Sequence, residues 1–275
     1  MTYSMATVTP TTTNAASTAE VRLNSDSPIQ VPDGISNIVS AIGYHVPTGA
    51  LSPDESYVTR LRLQSNDISV EPCRFMLPAV NTGDAGFTAV AAPMLEEMSL
   101  NIPNANGANI NVYAQPMVNN TVAESVGCEL IYSTSSTGQQ QYWNTPDAIS
   151  TGGTVINTRQ TLNTITITDG REITSLNAFV APTTAAASTH DVGEFEFTSS
   201  DFQVPFPYSF PIASSFTGLT GAASSLTNPK GLSRQRFPAG HGIPLAPRAL
   251  INSFYTNRDA KGVGSTCMPF VSFTR

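Results

Sequence analysis

Ala41–Ala79 reads AIGYHVPTGALSPDESYVTRLRLQSNDISVEPCRFMLPA, and Ser175–Pro211 returns the same run of chemistry as SLNAFVAPTTAAASTHDVGEFEFTSSDFQVPFPYSFP. At one constant spacing, Val46 falls on Val180, Leu61 on Phe195, Leu63 on Phe197, Ser65 on Ser199, Asp67 on Asp201 and Val70 on Val204. In each copy an apolar segment ends in a Pro/Thr/Ala-rich turn. An alternating strand follows, then Ser, a polar residue and Asp, then a second alternating strand that runs into prolines. The chain is built twice.

Working outward, VTRLRLQ places Leu61 and Leu63 on one face and Arg60, Arg62 and Gln64 on the other, the period of a half-buried antiparallel strand. GEFEFT does the same with Phe195 and Phe197 against Glu194 and Glu196. Ile110-Asn111 and Tyr113 match Ile251-Asn252 and Phe254, and the run from Cys128 to Ser133 matches the run from Cys267 to Phe273. Met94–Met98 fits either a strand or one helical turn. Short alternating runs with Gly, Pro and Asn between them give an all-β chain of two tandem β-sandwiches related by internal duplication.

At 275 residues the chain has room for two domains of ordinary size. The expected division is a flexible Thr/Ala/Ser-rich arm over residues 1–19, a first sandwich over 20–138, a polar, turn-rich linker over 139–153, and a second sandwich over 154–275. Tyr142 and Trp143, inside the linker, should pack back onto one domain. The second sandwich carries an insertion without a counterpart of equal length, Ser215–Gly242, expected as a long loop that meets a partner through Lys230, Arg234 and Arg236.

Charged residues make up only 12% of the chain and the net charge is −7, with two lysines, Lys230 and Lys261. A surface this poor in charge suits burial against other protein, and the balance argues against a nucleic-acid groove, which needs clustered cations. Cys73, Cys128 and Cys267 are odd in number and lack CxxC spacing, so they read as buried apolar thiols, with Cys128 and Cys267 in matching places. No run is long and apolar enough for a membrane span, and no basic start precedes an apolar core.

The sequence offers no catalytic, cofactor or metal site. His45, His190 and His241 have no ligand cluster around them, and nucleophile elbows and phosphate loops are missing; Gly83-Asp84-Ala85-Gly86 reads as a turn. Glu96 and Glu97 would need Asp67 or Asp201 to form a carboxylate pair, yet neighbours on a strand point to opposite faces.

Arg60 and Arg62 stand where the second copy has Glu194 and Glu196. These four are the candidate subunit-interface residues, in an arrangement where the two domains alternate around a ring and opposite charges fix orientation. SNIVSAIGYHVPTGALS, VTRLRLQSNDISV and their second-copy partners, with the Thr-rich arm and the low-charge surface, resemble the double jelly-roll major capsid proteins of tailless icosahedral double-stranded DNA viruses. The resemblance covers roughly Glu20 to Arg275. It implies two jelly rolls and a non-enzymatic structural role, as a homotrimeric, pseudo-hexameric capsomer in the virion. The implied partners are copies of itself, other capsid proteins such as penton or minor proteins, and an internal membrane reached by the N-terminal arm. The alternative is a tandem β-sandwich that binds a glycan or receptor, as in a virion spike, on a platform of Trp143, Tyr142 or Phe216.

Overall fold

The structure is a computed structural model that describes residues 3–7, 11–12, 18–24, 27–47, 56–80, 96–117, 124–135, 138–147, 150–152, 155–182, 189–202, 207–219, 222–228, 232–238, 240–259 and 264–275. Among these residues every regular element is a strand. The first copy contains β1 (Tyr3–Thr7), β2 (Thr11–Thr12), β3 (Val21–Arg22), β4 (Ile29–Gln30), β5 (Asn37–Pro47), β6 (Ser56–Gln64), β7 (Arg74–Val80), β8 (Glu96–Pro103), β9 (Asn109–Pro116) and β10 (Glu124–Ser133). The second contains β11 (Tyr142–Asn144), β12 (Ser150–Gly152), β13 (Arg159–Thr161), β14 (Ile165–Ile167), β15 (Glu172–Pro182), β16 (Thr189–Thr198), β17 (Tyr208–Leu219), β18 (Ala222–Asn228), β19 (Leu232–Arg236), β20 (Ile243–Pro244), β21 (Ala249–Asn257) and β22 (Ser265–Thr274).

The pairing is the same in both halves. The sheet β1-β10-β5-β8 corresponds to β11-β22-β15-β19, and β3-β9-β6-β7 to β13-β21-β16-β17, with β18 added at the second copy's edge. Among the described residues the ladders between these strands are antiparallel. Two tandem jelly-roll sandwiches result, each a pair of sheets around a core.

The Ser-x-Asp motif has a structural reason. Ser65 Oγ accepts from the Asp67 N–H at 3.1 Å, and Asp67 Oδ2 accepts from the Asn109 N–H at 2.8 Å. In the second copy Ser199 Oγ accepts from Asp201 N–H at 3.0 Å, and Asp201 Oδ2 accepts from Leu250 N–H at 3.0 Å. Each motif closes its own turn and ties the end of one strand to the start of another across the domain. The ladders confirm the match of these strands: Leu61 lies opposite Ala114 as Phe195 lies opposite Tyr255, and Arg62 opposite Tyr113 as Glu196 opposite Phe254.

One part of the alignment shifts. Both β5 and β15 carry a bulge, between Ile38 and Ser40 in one and Ile173 and Ser175 in the other. Matching the bulges puts Val46 on Ala181 and His45 on Val180, one residue from the gapless reading, and the loop that follows absorbs the difference. A one-residue slip in a strand exchanges its faces, so the bulge decides which side chains point inward. By the same ladders Cys267 corresponds to Val126 and Cys128 to Pro269. The two thiols are not in matching places, although all three cysteines are free and buried.

Three expectations about chain organisation are corrected. Part of the N-terminal segment is not a free arm: β1 and β2 extend the sheet through β10. Part of the linker is likewise β11 and β12, paired with β22. These are edge strands held by main-chain ladders, for which Thr and Ser suffice without apolar alternation. The 215–242 insertion is not a loop, since it holds the end of β17, then β18 and β19.

The cores differ in content. Leu61, Leu63 and Ala114 of the first core become Phe195, Phe197 and Tyr255 in the second, all fully buried. Room for Tyr255 comes from Gly193, which stands where the first copy has the buried Thr59; a Cβ on Gly193 would collide with the Tyr255 ring. Gly193→Ala is expected to destabilise the second jelly roll by about 1–3 kcal/mol. Gly193→Thr combined with Tyr255→Ala, the pairing of the first copy, should recover part of that loss in thermal unfolding.

Candidate interdomain interface

All ten residues of β22 are buried. Cys267, Val271 and Phe273 join the second core, whereas Met268 and Phe270 belong to the apolar cluster of the first jelly roll, together with Phe179 of β15 and Trp143 of β11. The sheet β11-β22-β15 therefore has two apolar faces, and its outer face lies against the neighbouring domain. Trp143 and Phe270 meet there with ring centroids 6.4 Å apart.

The first jelly roll receives this face with backbone groups. Trp143 Nε1 donates to Ser99 O at 2.9 Å, Trp143 N to Pro72 O at 3.2 Å, and Gln141 N to Leu100 O at 2.7 Å. A hydroxyl network lies alongside, with Thr174 Oγ1 donating to Gln141 Oε1 at 2.5 Å and Ser272 Oγ within 2.8 Å of Thr174 Oγ1. At the rim Arg60, 7% exposed, donates to Asp147 Oδ1 at 2.8 Å and to Pro146 O at 3.3 Å, while Arg74 reaches the same carboxylate at 3.3 Å. The hydrogen bond from Arg60 holds the Asp147 carboxyl below its ordinary range. A cleft of about 250 Å³ lies between the domains, lined among others by Arg62, Glu71, Cys73, Arg74, Phe273 and Arg275.

The chain is similar in fold to STIV MCP. The crystal structure of this major capsid protein shares 10% identity at a TM-score of 0.47, over 100% of this chain and 97% of that one. The atomic structure of Sulfolobus turreted icosahedral virus gives 9% and 0.49, over 99% and 90%. PNGF-II is similar at 9% and 0.44, over 90% of this chain and 58% of that one. The sequence matches no protein-family model and no curated protein.

The four candidate interface charges have partners inside the chain. Arg62 makes a two-point contact with Glu20, at 2.8 and 2.6 Å, and lies 4.1 Å from the centroid of the Tyr113 ring. Glu196 makes a two-point contact with Arg159, at 3.0 and 2.6 Å, and the Arg159 guanidinium lies 3.3 Å from the centroid of the Phe254 ring. Glu20 and Arg159 hold corresponding places beside β9 and β21, as Tyr113 and Phe254 do. The two copies thus contain the same ion pair on an aromatic ring with the charges exchanged. Arg60 is bound to Asp147, and Glu194 accepts from Arg258 at 2.9 Å. These guanidiniums hold the Glu20 and Glu194 carboxyls below the usual carboxylate range.

Arg234 and Arg236 lie on β19, with Arg236 exposed, and Lys230 lies outside the described residues, as do Gly83–Gly86. Tyr142 and Trp143 are buried, at 6% and 5% exposure, so neither forms a binding platform; Phe216 is placed by its backbone only. Sequence reasoning missed Phe179, Met268 and Phe270 as contact residues. Their signal was present in STCMPFVSFT, a strand that fails to alternate because both faces are covered.

Two outcomes test the rim. Arg62→Glu should cost roughly 2 kcal/mol by leaving Glu20 beside a like charge, and adding Glu20→Arg should restore stability, because the second copy already holds that arrangement. Asp147 has a lowered folded-state pKa, so its contribution is present above the unfolded value near 4 and is lost as pH falls through the folded one. Because the Asp147 side chain is 82% exposed, the loss should be small, seen as a slightly lower unfolding midpoint below about pH 4 that Asp147→Asn reproduces at pH 7, while the fluorescence of Trp143 stays that of a buried ring.

Proposed function

We propose that the chain is a major capsid protein whose homotrimer forms a pseudo-hexameric capsomer of an icosahedral virion. The observation that carries this reading is the way the second jelly roll docks on the first: one sheet face meets a different surface, the backbone around Pro72 and Ser99–Leu100. Such a contact is head-to-tail. Each chain therefore makes it once internally and still owns both halves of it, the corresponding face on the first jelly roll and the corresponding receiving edge on the second. Head-to-tail contacts between alike units close into rings when the rotation permits. Three two-domain chains then supply six alike units for a six-fold position in a shell.

The surface composition suits the same reading, since interface cores are depleted in Lys, Glu and Asp and this chain is only 12% charged. Its partners are copies of itself and, in the shell, other capsid proteins such as penton or minor proteins. Contact with an internal membrane by residues 1–19 would use chain outside β1 and β2, whose backbones are engaged with β10.

The purified full chain should sediment as a trimer and average to a six-lobed ring by cryo-electron microscopy. A monomer at every accessible concentration would overturn the proposal.

A further inference from the structure

The duplication allows the contact between chains to be read from the one within the chain. Matching the ladders position by position, Phe270 corresponds to Glu129, Ser272 to Ile131 and Asn177 to Ile42. On the second jelly roll these positions are buried by docking; on the first, Ile42, Glu129 and Ile131 are half-buried. The polar side chains of the two strands also differ, although Asn37 and Ser40 are already buried within the chain and lie out of reach of a second copy. Both side-chain atoms of Asn37 and the Ser40 hydroxyl are buried without a hydrogen bond, while the corresponding Ser175 bonds to Ser272 and to Asn177.

The receiving side is identified in the same way. Ser99, whose carbonyl accepts from Trp143, lies opposite Ser40; the residue opposite the corresponding Ser175 is Arg236. Opposite Ile42 lies Glu97, and opposite the corresponding Asn177 lies Arg234. The receiving edge of the second jelly roll is therefore basic where that of the first is acidic or neutral, and Arg236 is exposed on it.

We propose that the outer face of the first jelly roll, centred on Ile42, Glu129 and Ile131, docks on the β19 edge of the second jelly roll of another copy, with Glu129 meeting Arg236. The proposal rests on the ring reading above and names its surfaces. Where the internal contact uses Trp143 and Phe270, the contact between copies uses opposite charges around two isoleucines. It should accordingly be the weaker of the two and the more sensitive to salt.

The test uses the full-length chain, with association followed by sedimentation and folding checked by thermal unfolding. Glu129→Arg and Arg236→Glu should each weaken trimer association roughly tenfold or more while leaving the unfolding midpoint near wild type, and the double variant should recover it. Raising salt should dissociate wild-type trimers before it shifts Trp143 fluorescence. Single variants that trimerise as wild type, or a double variant that fails to recover, would overturn this assignment and leave the trimer standing. A wild-type chain that never trimerises would instead remove the ring reading itself.

Discussion

Ser265–Thr274 has to satisfy two partners at once. Its odd-numbered apolar residues complete the core of its own sandwich, and Met268 and Phe270 complete that of the neighbour. A slip of one residue would exchange Phe270 with Val271 and damage both cores together, so the register is specified twice over. The bulge of β15 between Ile173 and Ser175 serves the same end, because β15 lies beside β22 and must present Leu176 and Ala178 inward while Phe179 faces out. The relative placement of the two jelly rolls thus follows from packing on both faces of one sheet together with the contacts that Gln141, Trp143 and Asp147 of the connecting segment make on the first domain.

Exchange of charge between the copies shows how one fold can present two different surfaces. Coulomb attraction is unchanged when the two ends of an ion pair are swapped, so Arg62 on Glu20 and Glu196 on Arg159 hold their strands in the same way. The field outside the molecule is not unchanged. Each domain carries the opposite sign at the same place, which leaves the core alone and alters only what a neighbour meets. Placement on Tyr113 and Phe254 adds a further attraction in whichever copy has its cation over the ring, which is both of them here.

The parts of this architecture legible in the sequence are those governed by side-chain period. β6 and β16 alternate, and Ser-x-Asp closes a turn in each copy, so the duplication and the all-β class could be read directly. Elements held by main-chain bonds were not legible: Tyr3–Thr7 and Tyr142–Asn144 are short strands whose composition suits a disordered arm or a linker equally well. The shift between β5 and β15 stayed hidden because Val46 and Val180 agree in chemistry at the wrong register. At the interface, Arg60 to Glu196 were visible as an anomaly of sign, yet their partners Glu20, Asp147, Arg159 and Arg258 are distant in sequence and carried no pattern of their own. Strand β22 shows by its failure to alternate that both faces are covered, but no local pattern tells which domain the second face meets.

In the proposed head-to-tail ring the two contacts need not be equally strong, and the chain's covalent link explains which should be apolar. Docking within the chain is an intramolecular event at high effective concentration, so it would form even with modest contacts. Its large rings are therefore not required for affinity alone. They are required because Phe179, Met268 and Phe270 would otherwise be exposed apolar surface, open to the wrong partners. Between chains the demand is reversed. A contact that builds a closed ring and then a shell must allow a misplaced subunit to leave, which favours charge-directed orientation over deep apolar burial. Replacing Phe270 by its first-copy counterpart Glu129 makes that difference within a fold that is otherwise the same.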